Sequence, residues 1–259
     1  MHFSEALLLD LVSAYFWPFV RISGLIVAAP VLNSTNVPQR VKLIVILSLT
    51  ALIAPALPPM PDVPLMSPAG LALTMQQLLI GVMLGFIVQM VFDAMVVAGE
   101  TAAMSMGLGF AMFLDAERGV SVPVLSQFYL ILATLTYLAI DGHLLLIEVL
   151  AESFQTMPVA LPDGIASGGD LLWRLLSFAS TMFTGALQIA LPAVCALLIV
   201  NVAFGVISRA APSLNMFAIG FPVSLVMGFA VVLVSLPSTQ SALLVLLESS
   251  FRLLDVFIR

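Results

Sequence analysis

The chain has 259 residues, 62% of them hydrophobic and only 8% charged, against roughly 45–50% apolar and about 25% charged in a soluble domain. Even with its cores filled, the remaining apolar residues would form patches far beyond what water-facing monomers expose, so lipid or protein must cover the outside. Fourteen acids against eight bases give a formal charge of −6 with no basic patch for nucleic acid, and the single cysteine, Cys195, excludes an intramolecular disulfide or a cysteine-cluster metal site.

A helix crossing a hydrocarbon core of about 30 Å needs roughly 20 apolar residues, because each residue rises about 1.5 Å and every amide must bond within its own segment. Six segments meet this, at 11–32, 41–57, 70–98, 123–150, 175–205 and 214–236, followed by an amphipathic stretch at 240–258. The expected fold class is all-α, a polytopic membrane protein of about six to seven kinked hydrophobic helices or hairpins in one membrane-embedded domain, 1–259.

The N-terminus, MHFSEALLLD, carries Glu5 and Asp10 where a secretory signal carries Lys or Arg, so the first segment is expected to stay in the mature protein. Arg40 and Lys42 mark the first connection as cytoplasmic, while the proline-rich second connection, 58–69, has no base. The alternation then places the N-terminus in the periplasm, Arg118 and Arg209 inside, and the base-free 151–170 stretch outside. Pro18, Gly185, Pro192, Gly220, Pro222 and Gly228 fall within apolar segments, where they kink helices or let a neighbour approach closely. Gly81 and Gly85 form a small-x-x-x-small pair that serves either subunit packing or nothing specific.

Ionisable groups inside apolar segments are costly, about 2.5–3.5 kcal/mol near a helix centre, and so are functional or pairing candidates. Here they are Arg21, Asp93, Glu100, Asp141 and His143, with Glu148 near a segment end. A proton relay is one use; pairing between helices or solvation at helix ends is the plainer one. Asp141 and His143 are two residues apart, which on a helix points them to different sides. No G-x-S-x-G, H-E-x-x-H or phosphate-binding loop is present, so neither an enzyme nor a cofactor nor a metal is expected.

The most informative stretch is MSMGLGFAMFLDAERG, 104–119, between two long apolar segments. Gly107 and Gly109 permit unusual backbone angles, while Met112, Phe110 and Phe113 supply bulk that packs around irregular shapes. Such a loop either seals a pore or is a buried connector or frayed helix end; both face protein or a cavity, because non-helical backbone does not survive against lipid. At 240–258 the charges Glu248, Arg252, Asp255 and Arg259 make one stripe, and Leu243, Leu246, Leu247, Leu254 and Phe257 the opposite face, suited to the membrane surface or to a partner subunit.

Five ordered blocks resemble the FliR/SctT family of type III secretion export-gate subunits across nearly the whole chain. They are APVLNSTNVPQRVK at 29–42, QQLLIGVMLGF at 76–86, AGE then MGLGFAMFLD through 115, DGHLLLI at 141–147, and NVAFGVISRAAPSLNMFAIGFP at 201–222. The chain departs from the pattern at Met112, where Thr is common, and at Ala116, where proline is usual. The resemblance implies one R-type copy in a helically arranged, closed gate with P-type and Q-type subunits (FliP, FliQ), and B-type and A-type export proteins (FlhB, FlhA) as neighbours. It implies a passive channel for unfolded flagellar proteins in the bacterial inner membrane and basal body, with a plug at 106–122 carried by Gly107, Gly109, Phe110, Met112 and Phe113. It assigns Pro212, Asn215, Gly220 and Pro222 to assembly, beside Gly81 and Gly85. The alternatives are an injectisome subunit and, from another class, a proton-coupled small-molecule transporter, for which no convincing internal repeat is present.

Overall fold

A computed structural model describes residues 5–34, 37–58, 60–61, 63–108, 124–160, 168–210 and 216–258. The described residues form seven α-helices: α1 (Glu5–Ala28), α2 (Gln39–Ile53), α3 (Pro68–Ser105), α4 (Val124–Ala139), α5 (Gly142–Thr156), α6 (Gly168–Ala210) and α7 (Met216–Ile258). A 3-10 turn, Ala54–Ala56, follows α2. The all-α expectation holds. The Gln39–Ala56, α3, α6 and α7 stretches are each long and apolar enough to cross a membrane, and α4 with α5 makes a fifth candidate, bent by 65° at its break.

Local chemistry sets the helix ends. Ser67 caps α3, its Oγ accepting the Gly70 N–H at 3.0 Å, and Pro68 takes the first helical position, where its missing N–H costs nothing. After α1, the Leu32 N–H donates to the Pro30 carbonyl at 2.7 Å around Val31, whose φ is 66°. That tight three-residue turn is strained for a β-branched residue. Lys42 Nζ donates to Asn33 Oδ1 at 3.1 Å and ties this turn to the start of α2. Between α4 and α5 the chain passes through Asp141 at φ 56°, a left-handed conformation that Asp tolerates better than most residues.

Three helices exceed a simple span. α3 has 38 residues and α6 and α7 have 43 each, so at about 1.5 Å per residue they outrun a core of about 30 Å. From Met216 on, the expected apolar segment ending at 236 and the amphipathic segment 240–258 lie in one helix, which continues through Pro237. A proline costs a helix one backbone hydrogen bond; it does not have to end one whose sides are packed.

The chain divides into two compact units. The first comprises Met1–Met90, Ile140–Leu176 and Ser249–Arg259. In it α1 packs against α2 and, through glycines, against α3. Trp17, Leu73 and Val159 make a buried cluster, with Phe16, Met60, Val63 and Leu65 packed on it. Phe16 meets Trp17 edge-on, with ring centroids 5.2 Å apart.

The second unit comprises Val91–Ala139 and Ser177–Glu248. Its core stripe on α3 is Val91, Met95, Ala98 and Ala102, at helical spacing and nearly or fully buried. Phe92 meets Tyr137 of α4 edge-to-face at 5.5 Å, and Tyr129 of α4 shares a side-chain hydrogen bond with Thr239 of α7. The apolar face of 240–258, expected to lie on a membrane or a partner, is covered by the chain itself. Leu243, Leu246 and Leu247 are buried in the second unit, and Leu254 and Phe257 in the first. Large apolar side chains stay exposed on α2, α6 and α7, among them Ile44, Leu52, Ile199, Val206, Val226 and Val234, and on α3 and α4 as well, as at Leu79 and Leu135.

Candidate functional site

Arg21 is fully buried in the first unit. Its Nε donates to Gln77 Oε1 at 2.7 Å, one Nη donates to the Ser153 carbonyl at 2.8 Å and to Ser153 Oγ at 3.1 Å, and the other donates to the Met157 carbonyl at 2.7 Å. The Phe154 ring centroid lies 4.2 Å from the guanidinium carbon. Ser153 and Met157 sit at the C-terminus of α5, where the negative end of the helix dipole favours a cation, and the Ser153 carbonyl accepts the Met157 N–H at 3.0 Å besides the guanidinium. Arg21 therefore closes the end of α5 from another helix, and among the described residues its hydrogen-bond partners are neutral oxygens and not a carboxylate. The sequence singled out the charge but missed Gln77 and Ser153, and carries no signal that marks them: Gln77 is one of several polar residues in α3, beside Gln76 and Gln89.

The other ionisable candidates are divided between the two units. Asp93 and Glu100 are half-buried on α3 in the second unit, while Asp141 and His143 belong to the first. Asp141 is exposed at the break between α4 and α5 and lies outside α5, so the argument from two helical positions does not describe it. His143 is half-buried with an Nδ1 that has no partner.

Gly81 and Gly85 lie against α1. A Cβ at Gly81 would collide with the Arg21 carbonyl oxygen, and one at Gly85 would sit 2.8 Å from the Ala29 nitrogen. On the facing side, a Cβ at Gly24 would sit 2.6 Å from the Leu78 carbonyl oxygen. The two backbones approach closely because none of the three residues carries a side chain. This contact is within the chain.

The stretch of greatest interest begins where α3 ends. The Leu108 N–H donates to the Ala103 carbonyl and the Gly107 N–H to the Met104 carbonyl, both at 3.0 Å. With Gly107 at φ 81° this is a Schellman stop, the paired-bond helix terminus built on a left-handed residue. A helix end defined in this way is not frayed, and Gly107 is the residue that turns the chain out of α3. Met106, immediately before it, is fully buried whereas Met104 is 64% exposed. Gly109, Phe110, Met112 and Phe113 lie outside the described residues, as do Pro212 and Asn215. Gly220 is half-buried and Pro222 exposed, both early in α7.

Comparison with known proteins gives one consistent family. The model for bacterial export proteins, family 1, matches residues 12–250. The flagellar biosynthetic protein FliR of Escherichia coli (strain K12) is 40% identical over 229 residues, covering 88% of this chain and 86% of that protein. The protein of the same name from Pectobacterium carotovorum subsp. carotovorum is 42% identical over 226 residues, covering 87% and 85%. That of Buchnera aphidicola subsp. Acyrthosiphon pisum (strain APS) is 31% identical over 235 residues, covering 91% and 90%.

Proposed function

Because the chain belongs to the bacterial export proteins, family 1, we propose that it is the R-type subunit of a flagellar protein-export gate in the bacterial inner membrane. The observation that carries this reading is the family match across 12–250, together with near-full-length similarity to proteins named for flagellar biosynthesis. The multi-pass helical architecture supports it. The exposed apolar side chains on α2, α6 and α7 demand lipid or neighbouring subunits, and P-type and Q-type subunits (FliP, FliQ) are the neighbours this reading assigns, with FlhB and FlhA facing the same gate.

The chain acts as part of a passive conduit for unfolded flagellar proteins. Sealing is assigned to the segment that leaves α3 at Gly107, and Gly109, Phe110, Met112 and Phe113 are its proposed contact residues. Support comes from its composition, apolar and sulfur-rich side chains on glycine-punctuated backbone, which can close around an irregular opening. Support also comes from its origin at a firmly terminated helix. Pro212, Asn215, Gly220 and Pro222 are assigned to assembly.

The test is deletion of 108–114 in cells making the whole export apparatus, with entry of small solutes or ions across the inner membrane as the readout. Complexes that assemble and leak support a sealing loop. Complexes that assemble, stay tight and export normally leave the chain a scaffold subunit.

A further inference from the structure

Met106 and Gly107 both rest on α7. A Cβ built on Gly228 would lie 2.5 Å from Met106 Cγ and 2.8 Å from both its Sδ and its Cε, so the whole side chain is laid across that glycine. A Cβ on Gly107 would lie 3.3 Å from Phe221 Cδ2. Phe221 and Gly228 are seven residues apart and share one face of α7, with buried Ser224 between them at helical spacing. The stop that ends α3 is thus held at two neighbouring points of one helix stripe, and one of these points exists only because residue 228 lacks a side chain.

We propose that Met106 and Gly228 are positioning residues for the seal: the Met106 side chain, seated on Gly228, fixes the end of α3 from which the sealing segment departs. This rests on the sealing role assigned above and adds to it the contact that sets the segment's starting point. A methionine suits the task because its unbranched thioether conforms to a flat groove and fills it completely. The bound part of the chain is Cγ, Sδ and Cε together, so a methyl group at 228 cannot be accommodated by moving the tip alone. It forces Met106 off the groove from its Cγ outward and shifts the Schellman stop with it.

The experiment compares four variants in the complete apparatus: Gly228→Ala, Met106→Ala, the double variant, and Gly185→Ala. The last is a steric control, because a Cβ at Gly185, in the same unit, would press on Leu246 at 2.7 Å, and its three nearest atoms all belong to Leu246 and none to Met106 or Phe221. Assembly is read by co-purification of the gate subunits, and sealing by small-solute entry. The expected result is a several-fold rise in entry for Gly228→Ala in assembled complexes and no rise for Gly185→Ala. Adding Met106→Ala should bring the leak of Gly228→Ala down to that of Met106→Ala alone, since nothing remains to be expelled. Should Gly228→Ala fail to assemble, recovery in the double variant of assembled complexes that leak as Met106→Ala does supports the proposal; continued failure, or a tight double variant, overturns it.

Equal leaks from Gly228→Ala and Gly185→Ala overturn it, as does an assembled, tight Gly228→Ala gate when deletion of 108–114 leaks. If that deletion is itself tight, the sealing role fails first.

Discussion

Replacement of Arg21 probes the tie between α1, α3 and the end of α5 most directly. Arg21→Ala removes donors to four acceptor sites: Gln77 Oε1, the Ser153 carbonyl and hydroxyl, and the Met157 carbonyl. The Gln77 and Ser153 contacts are buried and the Met157 contact is part-buried, and a hydrogen bond to a charged group is worth about 1.5–3 kcal/mol. The substitution orphans Gln77 Oε1, at about 1–3 kcal/mol, and empties the space against Phe154, at about 2–5 kcal/mol, while relief of the buried cation's desolvation offsets part of this. The Ser153 carbonyl keeps the Met157 N–H and the Ser153 hydroxyl keeps the Leu150 carbonyl, so the net cost is about 3–5 kcal/mol. Arg21→Lys keeps the charge but offers one nitrogen where the guanidinium offers three, and cannot serve Gln77 and both carbonyls together; its cost is about 1–3 kcal/mol. For a chain of this size about 2–4 °C of melting temperature goes with each kcal/mol. The expected drops are therefore about 6–20 °C for alanine and about 2–12 °C for lysine, read by tryptophan fluorescence or near-ultraviolet circular dichroism of the detergent-solubilised chain during heating. An alanine variant melting within about 2 °C of the parent, or a lysine variant worse than alanine, would refute the view that the guanidinium fork closes α5.

Two further outcomes follow from packing. Gly81→Ala should lower the melting temperature sharply, because its methyl group meets the Arg21 carbonyl of α1, whereas Gly205→Ala, with open space around it, should be neutral or stabilising by about 0.5–1 kcal/mol; a thermal scan of both separates close approach from simple tolerance of glycine. Tyr137→Phe should hold or raise stability by up to about 1 kcal/mol, because the Tyr137 hydroxyl is buried without a partner while its ring keeps the edge-to-face contact with Phe92; a clear loss in the same assay would show that the hydroxyl is bonded in the protein.

The helices were legible in the sequence because apolar length is a strong signal in a chain that must meet lipid. Their joins were not, and the physical reason differs from place to place. Leu236-Pro237-Ser238 reads as a break, yet α7 runs through it, since side-on packing around Thr239 and Leu243 outweighs one lost hydrogen bond. Conversely 123–150 reads as one span, yet Asp141 takes a left-handed angle and splits it into α4 and α5. The charge on Arg21 was visible as a cost, but its solution was not, because the groups that satisfy it are a side-chain amide 56 residues away and carbonyls 132 and 136 residues away. Backbone carbonyls carry no sequence signature.

The same limit explains the uneven reading of the glycines. A glycine in an apolar helix reports only that a side chain is missing, and three physical reasons here produce the same letter. At Gly81 the space is taken by another helix's backbone; at Gly107 the left-handed angle ends α3; at Gly228 the space is taken by Met106. Only the second has a local signature, since a glycine just past the end of a long apolar run is the ordinary helix stop. The other two depend on residues 60 and 122 positions away, which no local pattern encodes. That asymmetry sorts the expected consequences of substitution. A side chain at Gly81 should strike the folding of the first unit and with it every activity of the chain. One at Gly228 meets a flexible methionine at the end of α3, so the chain can fold around it and the defect falls on whatever that helix end positions.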